Sequence, residues 1–144
     1  MPTKFSEIYE RAIFKFKDYS FINAIADFKE AVLQQHLLSA LTDFQHVSKV
    51  DITKYNLKQE EFVEELGNEE IEILALGISF YWLSAQVMNR ELFKNRIHNS
   101  DYTSYSPANL LKEMQALLAM LEQNYRGKIN VYSYRYGDIG SLKV

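Results

Sequence analysis

Seven glutamates fall within thirteen residues of this chain: Glu60, Glu61, Glu64, Glu65, Glu69, Glu70 and Glu72. Carboxylates at such density can hold a divalent cation or share acid–base work. More often they form the solvated face of a helix. Asp43 and His46 stand three apart, a spacing that sets two ligands on one helical face. No second ligand pair accompanies them, and a histidine at a helix C-terminus also suits the negative end of the dipole. His36 lies beside Gln34 and Gln35 as an ordinary helix residue, and His98 falls at a helix end. The expectation is no metal, no cofactor and no catalytic residue.

Other chemistry is missing from the pattern. Cysteine is absent, which excludes a thiol nucleophile, a disulfide framework and a zinc–thiolate site. GISFYWL lacks the Lys-Ser/Thr ending of a phosphate loop, and RYGDIG has no strand–loop–helix context. No serine sits in a G-x-S-x-G elbow. The formal charge is −3, which argues against a general polyanion-binding surface. The basic residues are scattered: Arg11, Lys15 and Lys17 early, then Arg90, Lys94 and Arg96 on a polar helix end beside Phe93. The N-terminal stretch lacks the apolar core of a signal peptide. No uninterrupted apolar run reaches the roughly 18 residues of a membrane span. A soluble, intracellular protein with no membrane contact is expected.

The 144 residues suit a single domain with a real core. Helical spacing of Ile8, Tyr9, Ala12, Ile13 and Phe16 predicts a first helix capped by Ser6. A second helix is expected from about Ser20 to Phe44, with a kink or break near Gln34–His36. Residues 45–68 show no steady period; Lys58–Leu66 can form a helical turn or two, with Asn56 as cap. The third helix, capped by Asn68 and running to about Ile97, is apolar nearly all round and so central. Gly77 inside it implies close packing against another helix. NSDYTSYS reads as a loop. Ser106 and Pro107 then start a fourth helix, with a stripe of Leu110, Leu111, Met114, Leu117, Leu118, Leu121 and Tyr125.

Gly127 reads as the stop of that helix. Beyond it Ile129 and Val131 precede Tyr132, Tyr134 and Tyr136 at alternate positions, the period of a strand. The expected architecture is therefore mainly α. A four-helix bundle-like domain covers residues 1–127, and an extended, partly β C-terminal arm covers 128–144. That arm needs a strand partner in another subunit, or it folds back on its own helices.

The blocks Glu70–Ala75 (EIEILA), Trp82–Leu83 and Asp101–Glu113 (DYTSYSPANLLKE), with the Tyr-rich end and, more weakly, Ser39–Phe44, resemble small helical proteins of tailed bacteriophages encoded among head and neck genes. The likeness covers about two-thirds of the chain. It implies a head–tail connector, also called a neck or adaptor protein. Such a protein forms a ring, often of about twelve copies, beneath the portal, and double-stranded DNA passes through it without sequence-specific contact. Head-to-tail contacts close rings of this kind. Its partners would be the portal and the neck or tail completion proteins. Its place would be the virion neck, after assembly in the host cytoplasm.

On this reading the arm docks through Ile129, Val131, Tyr132, Tyr134, Arg135, Tyr136 and Ile139, by adding a strand to a partner's sheet edge. Gly137 and Gly140 would let its last residues bend. Glu60, Glu61, Glu64 and Glu65 would face the channel and repel DNA phosphates, the inverse of the usual basic footprint. Two rivals are a small helical DNA-binding packaging or regulatory protein, similar to a terminase small subunit, and a small enzyme with a metal in the acidic segment.

Overall fold

The computed structural model describes residues 2–16, 30–96 and 107–136. Among them stand four helices: α1 (Phe5–Phe16), α2 (Glu30–Phe44), α3 (Asn68–Arg96) and α4 (Pro107–Tyr136). A two-stranded antiparallel hairpin, β1 (Tyr55–Asn56) and β2 (Glu61–Phe62), links α2 to α3. The protein is mainly α, as the periodicity implies. The start of the second helix at Ser20, its neighbourhood up to Lys29, and the loop before Pro107 lie outside the described residues.

α3 is the axis of the domain, packed against α1, α2 and α4. Every residue from Ile73 to Phe80 is buried, because three helices cover a helix that is apolar on most sides. By length and composition Asn68–Asn89 is apolar enough to cross a membrane. Here its apolar faces are spent on the core. Gly77 answers its expected role. A methyl placed there would lie 2.5 Å from Ala40 Cβ and 3.0 Å from Tyr125 Cε1, so α2 and α4 both close on α3 at this point.

The N-terminus of α3 is built differently from the expected Asn68 cap. The Ile71 N–H donates to the Gly67 carbonyl, and Glu70 Oε1 accepts the Gly67 N–H at 2.9 Å. Gly67 is thus the cap residue, with Glu70 reaching back from three positions on. Asn68 lies inside the helix and accepts Arg11 Nη1 at 2.7 Å. Ser6 likewise lies inside α1, which begins one residue earlier.

Residues 58–66 form no helix. Asn56 does cap, but it caps a turn: its Oδ1 accepts the N–H groups of Lys58 and Gln59. Glu60 closes that turn in the left-handed region, with φ at 52°. Tyr55 pairs with Phe62 and Asn56 with Glu61. The chain's beginning joins the other edge of β2: Phe62 N–H donates to the Thr3 carbonyl and Phe5 N–H to the Glu60 carbonyl, each at 2.8 Å. Thr3 Oγ1, buried, accepts the Leu66 N–H. Phe5, Tyr55 and Phe62 pack ring against ring beneath this small sheet.

The fourth helix does not stop at Gly127. It runs unbroken to Tyr136, and no glycine among the described residues adopts a positive φ. Residues 128–136 are therefore helical, not the extended start of an arm; the expected boundary after residue 127 falls inside a helix. The reason is the stripe. Leu118, Leu121, Tyr125, Ile129 and Tyr132 keep helical spacing across the glycine, and the core rewards that spacing.

Candidate functional site

The seven residues expected to form a docking arm are divided by the helix. Tyr132 is buried at 2 % exposure. Its ring meets Phe44 edge-on at 4.8 Å between centroids, and its hydroxyl accepts the Lys49 N–H at 3.0 Å. Ile129 packs partly against the same core. Arg135 pairs with Glu69 at the start of α3. These three side chains contact the chain's own helices and the loop after α2. Val131 and Tyr134 point the other way, at 55 % and 79 % exposure. A strand would put Tyr132 and Tyr134 on one face; a helix separates them by about 200°. The side chain of Tyr136 and all of Ile139 lie outside the described residues.

Between the last turns of α4 and the first turns of α3 lies a groove of about 410 Å³, lined by Glu69, Glu72, Ile73, Gly127, Lys128 and Val131 among others. The acidic residues at its α3 side already have cations. Glu69 takes Arg135, and Glu72 takes Lys15 and, at 3.5 Å, Arg11.

The four glutamates expected on a channel face lie on the hairpin and the segment after it. Glu61 is in β2, paired in register with Asn56. Glu64 Oε2 accepts the Asp51 N–H at 2.8 Å. Glu64 and Glu65 are exposed, while Glu60 and Glu61 are half-buried. They do not share one helical face, because there is no helix there. No group of three or more His, Asp or Glu side chains is placed to hold a metal among the described residues.

The Asp43–His46 pair is also divided. His46 is exposed in the turn after α2. Asp43 Oδ2 instead accepts the hydroxyls of Tyr81 and, at 2.9 Å, Tyr125. Arg126 lies 5.7 Å from the centre of the Tyr125 ring. This cluster ties the C-terminal end of α2 to the middles of α3 and α4. Sequence reading missed it because the partners lie 38 and 82 residues away.

Burial, then the hydrogen bond to Asp43, pushes the Tyr81 hydroxyl up to about 12. Burial and the Asp43 charge push Tyr125 up as well, and burial does the same for Tyr9 and Tyr132. A raised phenol pKa means that the fold binds the neutral form. This stabilisation is complete below the unfolded value of about 10 and is lost as pH climbs towards 12. The melting temperature should therefore be insensitive to these groups up to about pH 9 and fall steeply above 10. Tyrosinate absorbance should appear together with unfolding. Ionisation of all ten tyrosines before any loss of helix would contradict the buried phenols.

No family model, curated protein or solved structure matches the chain.

Proposed function

We propose that this protein is a structural component of a tailed-phage virion, a head–tail connector or adaptor. It forms a ring beneath the portal, through which double-stranded DNA passes without sequence-specific contact. Its partners are the portal and the neck or tail completion proteins, and it has no catalytic role. The residue blocks around α3 and the start of α4 support this reading. So does one structural observation: Val131 and Tyr134, three apart on one helical face, stand exposed on a helix end whose other side is anchored in the core. Exposed aromatic side chains with apolar neighbours are common anchors of protein interfaces. In the ring, the segment after the hairpin, carrying exposed Glu64 and Glu65, faces the DNA channel.

The test is to mix the protein with portal rings and image the product. A stable ring-on-ring complex is expected. Val131→Asp and Tyr134→Asp should each leave thermal stability within about 0.5 kcal/mol of the parent, as surface changes do. Together they should weaken docking at least about tenfold. Truncation belongs after Tyr136, because a cut at Gly127 also removes buried Tyr132. Failure to bind any portal or neck component would sink the proposal. Salt-dependent binding to duplex DNA would favour the packaging-protein reading instead.

A further inference from the structure

Two glycines interrupt the long helices, for opposite reasons. Gly77 has no room for a side chain. At Gly127 an added methyl would meet nothing within 4 Å. Packing gives no reason for glycine there, and glycine is the weakest non-proline residue in a helix interior. The nine residues that follow include Ile129, Val131, Tyr132, Tyr134 and Tyr136. β-branched and aromatic side chains favour strands over helices, and the three tyrosines alternate as a strand would. Local preference and observed structure disagree in this segment, and a disagreement of that kind marks a place where one sequence supports two conformations.

Beyond Gly127 the helix buries less than upstream: Tyr132 sits against Phe44 and Lys49, Ile129 is half-buried, and Arg135 pairs with Glu69 at the surface. The groove lies beneath these turns, so their packing on α3 is incomplete. Upstream the same helix buries Leu111, Met114, Leu117, Leu121 and Tyr125.

We infer that Gly127 is a hinge and that residues 128–136 are a latch. The latch is helical and closed when Tyr132 is seated beside Phe44. It opens as one unit into an extended segment that can pair with the exposed sheet edge of a partner protein. Opening frees Tyr132 to join Tyr134 on one face of the extended segment, and Ile129 to join Val131 on the other. The inference deepens the docking proposal, and rests on it for the partner. The hinge itself belongs to the isolated chain, so it is tested without a portal.

The experiment is amide hydrogen exchange on the full-length protein alone. Amides of Asn130–Ser133 should share one protection factor, at least about tenfold below those of Met114–Tyr125, with a step at Gly127. Gly127→Ala should slow exchange in the latch by about fivefold, because the helix gains where no side chain is displaced. It should leave α1 to α3 unchanged. Tyr132→Ala should remove protection from the latch while the upstream helices keep theirs. Two results would each overturn the hinge. One is latch amides exchanging only with global unfolding, level with Met114–Tyr125. The other is Gly127→Ala leaving the latch rates unchanged. Failure of portal docking with these exchange results intact would count against the connector reading alone.

Discussion

Replacing Gly77 by leucine is expected to leave no cooperatively folded protein. Even the first added carbon meets Ala40 Cβ at 2.5 Å and the Tyr125 ring at 3.0 and 3.1 Å. Neither neighbour can yield freely. Ala40 is backbone-fixed in α2, and the Tyr125 ring is held by its hydroxyl on Asp43. Alanine gains about 1 kcal/mol in helix propensity, against about 1–3 kcal/mol for overpacking. At so short a contact the clash wins, so Gly77→Ala should lower stability by about 1–2 kcal/mol. Leucine adds three more heavy atoms to the same closed crossing. Its cost should approach the roughly 5–15 kcal/mol by which a typical domain is stable at all. The cause can be isolated by a cycle. Ala40→Gly costs about 1 kcal/mol alone, but with Gly77→Ala it removes the opposing methyl, so the double variant should be more stable than the sum of the two singles. Circular dichroism melts provide the readout. A leucine variant that melts cooperatively within a few degrees of the parent would refute the crossing.

Gly77 was legible because it is an anomaly in an otherwise apolar helix, and only a close neighbour explains one. α3 itself was legible for the same reason: its apolar residues occupy more than one face. Pro107 marked the start of α4, since proline loses nothing at a first helical position. The hairpin was not legible. Its turn carries no Asn-Gly or Gly pair, and the left-handed position is taken by Glu60, where glycine or asparagine gives the usual signal. The third strand of the little sheet is only the stretch around Thr3 and Lys4, bridged to Glu61. That is too short for any period.

The candidate site shows how two signals compete. Residues 132–136 satisfy a period of two through the three tyrosines. The same stretch of chain also satisfies the helical period through Tyr125, Ile129 and Tyr132. Sequence alone offers both, and Gly127 favours the first. The tertiary fold decides for the second, because Phe44 and the Lys49 N–H provide a seat that only the helical spacing can reach. The acidic run divides among separate tasks. Glu70 and Glu72 serve a helix cap and a pair of cations, and Glu64 serves a loop N–H. Density of charge did not mean a shared face.

Asp43→Ala is expected to cost about 3 kcal/mol. One carboxylate oxygen accepts two phenol hydroxyls. The Tyr125 side chain is fully buried, so its hydroxyl cannot recover water when the acceptor is lost. Its nearest alternative is the Ala40 carbonyl at 3.5 Å, too long to replace a bond of 2.9 Å. Tyr81 is half-exposed and regains solvent, so it contributes less. Asparagine keeps an acceptor but not the charge. Bonds to a charged partner are about twice as strong as neutral ones, so Asp43→Asn should cost about half as much as Asp43→Ala. In a Tyr125→Phe background, where no buried donor is stranded, Asp43→Ala should cost at least about 1 kcal/mol less. Urea denaturation measures all four variants, with the slope unchanged if the unfolded states match. Strict additivity would mean that the two side chains do not act together. The position of the cluster gives the result a second use. Asp43 grips Tyr125 two residues before Gly127, and the next residue, Phe44, receives Tyr132 five residues beyond it. The same end of α2 therefore holds the fixed side of the hinge and the releasable side. Loss of Asp43 should lower the stability of the whole domain, whereas loss of the Tyr132 ring should raise exchange in the latch alone. If both variants instead unfolded the protein globally and to the same degree, α4 would be one rigid element from Pro107 to Tyr136 with no hinge at its glycine.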